Sequence, residues 1–287
     1  MRLYDTDFHM IMIKSHLPGL ILIALALHGC SNSSSPLPSG SIKGEYIYRR
    51  QNETFAQIEP ATLIPRLAYP WEEDKPGAHP KITKYFFRCK GCLLNPVHVL
   101  KKGNDVVPYY DCGGMQRHSL PLRDQNEFIF PILIDLLNYV QEKTGKQVVI
   151  TCGHCCPDHN SYLDPSPANQ ASKHMLGAEV DFYVRGMEQS PAEVINLILS
   201  YYREQEKYRG MKEYLEFKRY EKEDRKVSIP PWYNKEIYVK VYKKEEGRDF
   251  DNGHSYPYVS IQVRYDWDRN EPVNYTWDKA FRNFYRL

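Results

Sequence analysis

The chain has 287 residues, 42% hydrophobic and 26% charged, with a formal net charge of +2. That length allows one large domain or two small ones, and the apolar fraction excludes a disordered chain. Charge is near balance and Lys218–Lys226 mixes signs, which argues against a nucleic-acid partner, whose binding rests on clustered positive charge.

The first element is the apolar run Leu17–Leu27. It is shorter than the roughly 20 residues a spanning helix needs, so residues 1–29 read as a signal peptide. Asp5 and Asp7 do not suit a basic leader, and a start at Met10 or Met12 would leave Lys14 as its charge. Leu27-His28-Gly29-Cys30 then resembles the lipobox of bacterial lipoproteins. The resemblance implies acylation of Cys30, a membrane contact through that lipid, and a folded part in the periplasm or at the cell surface. The alternative is a cleaved secretory peptide with Cys30 an ordinary thiol. Residues 30–42, rich in Ser and Pro, read as a flexible tether.

Residues 43–125 read as an irregular, Cys-containing N-terminal arm with one strand at Glu45–Tyr48. Besides Cys30 the chain carries Cys89, Cys92, Cys112, Cys152, Cys155 and Cys156. In an exported chain disulfides are the leading reading, and about 15 pairings are open to six cysteines. Half a zinc ribbon in Cys89-Lys90-Gly91-Cys92 with Cys112, or a soft thiolate site in the Cys152–Cys156 loop, is the weaker one.

From residue 126 to 287 the pattern is that of a folded α+β domain: a small antiparallel sheet with flanking helices. A helix is expected over Asn126–Gly145, with Phe130, Ile134, Leu137 and Val140 as its stripe, Pro131 early and Gly145 as its stop. Gln147–Thr151 and Ala178–Val184 read as strands, the second with Val180, Phe182 and Val184 opposite Glu179, Asp181 and Tyr183. Ser190-Pro191-Ala192-Glu193 starts a second helix. Residues 202–232, charged and aromatic, read as an inserted helical arm. Glu236–Lys243 and Tyr256–Tyr265 read as a hairpin around Asp251-Asn252-Gly253.

The chemistry lies in Ser172-Lys173-His174-Met175-Leu176-Gly177-Ala178-Glu179-Val180-Asp181. His174 and Asp181 are separated by a Gly that can turn the chain, and Asp181 falls on the polar face of the following strand. An imidazole nitrogen and a carboxylate oxygen can thereby meet one divalent cation, and zinc accepts both. The segment resembles the S-x-H-x-x-G-x-A-x-D motif of the zinc D-Ala-D-Ala metallopeptidases, the hedgehog-like peptidoglycan peptidases. Upstream, Val149–Asn160 is similar to that family's strand followed by S-G-[YF]-R-x-P-x-H-N.

The resemblance implies a hedgehog-like fold, zinc as cofactor and a peptidoglycan stem peptide as substrate. It places His174 and Asp181 as metal ligands and Ser172, His159 and Asn160 beside the substrate. The family's third ligand is a His in [FY]-V-H-V-D-x-R, where this chain has Ser260 and Gln262 in Tyr258–Arg264. Cys155 stands where the family has Arg, and Glu179 replaces a small residue. His254, in Asp251-Asn252-Gly253-His254, can supply the missing ligand, with Asp251 or Glu179 as catalytic base. Two functions stay open: an active envelope peptidase, or an inactive lipoprotein of that fold that binds peptidoglycan or a protein.

Overall fold

A computed structural model describes residues 79–114, 117–165, 169–222, 226–247 and 256–286. The expected signal peptide, Cys30, the expected tether, the strand expected at Glu45–Tyr48, Asp251 and His254 lie outside them. In chain order, β1 (His98–Lys102) and β2 (Asp105–Tyr109) form a hairpin, and β3 (Leu122–Arg123) pairs with β4 (Asn126–Glu127). Then come α1 (Pro131–Thr144), β5 (Val148–Cys152), α2 (Pro157–Leu163), β6 (Glu179–Val184), α3 (Pro191–Glu204) and the single turn α4 (Lys212–Leu215). The short β7 (Lys218–Arg219) and β8 (Trp232–Tyr233) precede β9 (Ile237–Tyr242) and β10 (Tyr258–Val263). The chain continues through β11 (Tyr265–Asp266), β12 (Glu271–Pro272) and α5 (Trp277–Arg282). This is an α+β fold.

The main sheet has the order β5-β6-β10-β9-β8-β7, every neighbouring pair antiparallel. Alternation along its strands divides the faces, because successive side chains point to opposite sides. Val180, Phe182, Val184, Val259, Ile261, Val263, Val239 and Val241 join one apolar core with α1 and α3. Helix α1 starts later than its sequence pattern, since residues 126–127 belong to β4, and it ends on Gly145 at φ 63°. Its buried stripe is Ile132, Leu133, Leu136, Leu137 and Val140, so Ile134 is only partly covered.

One expectation is corrected. Residues 202–232 are not a helical arm: beyond the end of α3 the described ones hold one 3-10 turn, the four-residue α4, the edge strand β7 and the start of its neighbour β8. Tyr202, Tyr208 and Tyr214 recur every six residues, which is no helical period, and they fold the segment back by burying their rings together. The described part of the N-terminal arm packs on the sheet domain. Ile82, Phe87 and Leu120 are buried in the same core as the sheet, and Asn138 of α1 exchanges hydrogen bonds with the backbone of Ile82. Among the described residues no helix is long and apolar enough to cross a membrane.

Candidate metal centre

The polar face of the sheet carries the expected motif. Residues directly opposite in an antiparallel pair share a face, so register decides which side chains meet. Asp181 pairs with Cys152 on β5, after an irregularity between Ile150 and Cys152, and with Ser260 on β10. Glu179 pairs with Gln262, and Ser260 in turn with Lys240. A row Cys152–Asp181–Ser260–Lys240 thus crosses four strands.

His174 reaches this row from a 3-10 turn, Lys173–Leu176. Ser172 caps the turn, its Oγ accepting from the His174 amide at 3.3 Å. Gly177 closes it at φ 67°, and a Cβ there would press on Ile129 Cδ1 and the Phe128 carbonyl. A left-handed residue in so tight a place is a job for glycine. The His174 ring is fixed by a 2.7 Å bond between Nδ1 and the Gly153 carbonyl. A carbonyl only accepts, so Nδ1 carries the proton and Nε2 presents its lone pair. Nε2 lies 3.6 Å from Asp181 Oδ2 and 3.8 Å from Glu179 Oε1.

Cys152 Sγ approaches the other edge of the ring, 3.5 Å from Nδ1. One nitrogen of His174, a carboxylate oxygen of Asp181 and the sulfur of Cys152 lie within 4.8 Å of one another, a set able to hold a metal ion. Burial alone would depress the His174 pKa, but Cys152, Glu179 and Asp181 outweigh it and raise it well above the ordinary value. The surrounding negative charge favours the positively charged ring, and a cation at Nε2 would answer the same charge. Glu179 is held in place by Ser260 Oγ at 3.1 Å and Gln262 Nε2 at 2.7 Å, both donating to Oε1.

The other expected residues are placed differently. His159 and Asn160 are buried in α2, and His159 Nδ1 bonds Asp111 at 2.6 Å, 48 residues earlier in the chain. Neither offers a surface to a substrate peptide; His159 ties α2 to the loop that carries Cys112. Ser172 acts as a cap. Cys152 as a neighbour of the motif and Lys240 as a buried cation in its row were not singled out by the sequence, because both meanings depend on strand register.

The expected disulfides are also replaced by another arrangement. None of the six described cysteines is joined in a disulfide. Cys152 and Cys155 approach to 3.1 Å, while Cys89, Cys112 and Cys156 turn their sulfurs toward one point together with His118. Pairing any two of those three would strand a third thiol and an imidazole in the interior.

No protein-family model, no curated protein and no solved structure matches the chain.

Proposed function

We propose that the chain is a zinc-dependent peptidase of the hedgehog-like, D-Ala-D-Ala type, acting on peptidoglycan stem peptides in the cell envelope and tethered there by lipid on Cys30. The observation that supports this reading is the convergence of His174, Asp181 and Cys152, with Glu179 beside them. Imidazole, carboxylate and thiolate are ordinary zinc ligands, and three protein ligands with a fourth position open are the pattern of catalytic sites. When bound, zinc supplies a Lewis acid that polarises a carbonyl and acidifies water.

The chain's own residues do the rest. Glu179, oriented by Ser260 and Gln262, accepts a proton from the attacking water and returns it to the leaving amine. The Gly153 carbonyl keeps the His174 ring in the tautomer that frees Nε2. Lys240, buried and in register with Ser260, offsets charge developing on the attacked carbonyl, the task of the missing Arg.

A second reading, a lipoprotein of this fold that binds peptidoglycan or a protein without cleaving, draws on one observation. Glu179 Oε1 is already engaged twice, and the His174 and Asp181 side chains are only 11% and 8% exposed. Zinc-loaded protein incubated with a stem peptide ending in D-Ala-D-Ala separates the two. The peptidase reading expects cleavage that is lost in Glu179→Gln with metal retained, and in His174→Ala with the metal of this centre lost. Binding of the peptide without cleavage establishes the second reading; neither binding nor cleavage defeats both.

A further inference from the structure

We infer that Cys89, Cys112, His118 and Cys156 form a second metal centre, a closed structural zinc site. Their ligand atoms all lie within 4.8 Å of one another. The spacing is more specific than that. Tetrahedral zinc with Zn–S near 2.3 Å and Zn–N near 2.0–2.1 Å sets ligand atoms about 3.8 Å apart for two sulfurs and about 3.5 Å for sulfur and nitrogen. Cys89 Sγ and Cys112 Sγ are 3.7 Å apart, and Cys112 Sγ and His118 Nε2 are 3.5 Å apart.

The surroundings suit thiolate ligands. His118 Nδ1 donates to the Ser119 carbonyl at 2.9 Å, which leaves Nε2 as the free lone pair facing the sulfurs. The Gly114 amide donates to Cys112 Sγ and the His159 amide to Cys156 Sγ, both at 3.3 Å. Such bonds favour a sulfur that carries negative charge.

An outer layer holds the ligand-bearing loops. Asp111 accepts from the amides of Cys92 and Cys112 at 2.8 and 2.7 Å, and from Asn95 and His159 at 2.6 Å each. Its carboxylate thereby joins three chain segments around the centre. Gly91 passes so close that any Cβ would run into Cys112 Sγ. Phe284 packs on Cys89 and Cys156 and closes the site from water. Four protein ligands, three of them thiolates, with no open position are the signature of structural rather than catalytic zinc.

The ligands come from residues 89 to 156, so the centre joins the N-terminal segment to the loop that ends β5. Lys90 reinforces that junction, its Nζ donating to the Ile150 and Thr151 carbonyls at 2.8 and 2.7 Å. The same loop carries Cys152 and the Gly153 carbonyl that orients His174, so the site steadies the His174 centre from below.

Metal analysis of the full chain tests the inference apart from the peptidase reading. Wild type and His174→Ala are each expected to hold one equivalent of zinc that His118→Ala loses and His118→Cys keeps. Should His118→Ala fail to fold, cobalt substitution of His174→Ala gives the answer through the thiolate-to-cobalt charge-transfer bands of a three-sulfur site. The inference is overturned if His174→Ala is free of zinc, if its cobalt form lacks those bands, or if unreduced protein holds Cys89, Cys112 or Cys156 in a disulfide.

Discussion

The two centres share the loop of residues 152–156 but are built in opposite ways. Cys89, Cys112, His118 and Cys156 come from four separate positions along the chain, and the Cys89–Cys112 and Cys112–His118 distances already match two edges of a zinc tetrahedron. His174, Asp181 and Cys152 come from a 3-10 turn and two paired strands; Asp181 and Glu179 face His174 Nε2 at 3.6 and 3.8 Å, while Cys152 lies nearer Nδ1, at 3.5 Å. Backbone amides point at sulfurs in the first; side chains steer a carboxylate in the second. A thiolate-rich closed set stores binding energy as folding energy, whereas a mixed set beside a carboxylate keeps one coordination position for chemistry. The difference teaches that proximity of ligand atoms is not enough; what surrounds them decides which work they do.

Metal removal is the largest lever on this comparison. Structural zinc contributes about 10–16 kcal/mol in small domains, comparable with the whole stability of about 5–15 kcal/mol. A strong chelator should abolish the cooperative thermal transition of wild type and of His174→Ala alike. Followed by circular dichroism, a transition that stays put after the zinc has left would break the assignment of structural work to the thiolate centre.

Two glycines probe the centres one at a time. Gly91→Ala drives a methyl into Cys112 Sγ, an overpacking expected to cost about 1–3 kcal/mol and the metal of the thiolate centre. Gly177→Ala places a side chain at φ 67° against Ile129, expected to cost about 1–2 kcal/mol and to move His174 away from Asp181. Denaturation curves with zinc counts on both variants would show each mutation emptying only its own centre. If Gly177→Ala empties the thiolate centre instead, the two are not separable.

The smallest effect serves as a control at a residue that belongs to neither centre. Burial raises the Glu236 pKa against the hydroxyls of Tyr208 and Tyr202, the first donating to Oε2 at 2.6 Å. The folded chain therefore keeps this proton to higher pH than the unfolded one. The stability it contributes is fully present below about pH 4.3, the unfolded value, and is lost as pH rises through the folded pKa. Glu236→Gln should flatten that decline with zinc content unchanged, measured by urea denaturation across the acidic range. A steeper decline in the variant would reverse the sign.

Much of the sheet could be read from local pattern. Val180, Phe182 and Val184, then Val259, Ile261 and Val263, are buried on one face as their alternation demands, because side-chain direction in a strand follows from backbone geometry alone. Gly145 ended α1 and Pro191 opened α3 for equally local reasons. The segment 202–232 misled because its charges suggested a helix surface, while the six-residue tyrosine spacing was the real signal.

By itself the sequence determined the four long strands β5, β6, β9 and β10, the helix boundaries marked by Gly and Pro, and the His174–Asp181 pair, all set by neighbours within about ten residues. Tertiary structure alone decided the rest. The two Cys-x-x-Cys runs, Cys89–Cys92 and Cys152–Cys155, supply a single member of the thiolate centre between them; Cys112, His118 and Cys156 complete it from positions with no telling spacing. Cys152 faces Asp181 only through an irregular step in strand register. Chain segments distant in sequence meet only when the core closes, and no local periodicity records which side chains then point to the same place.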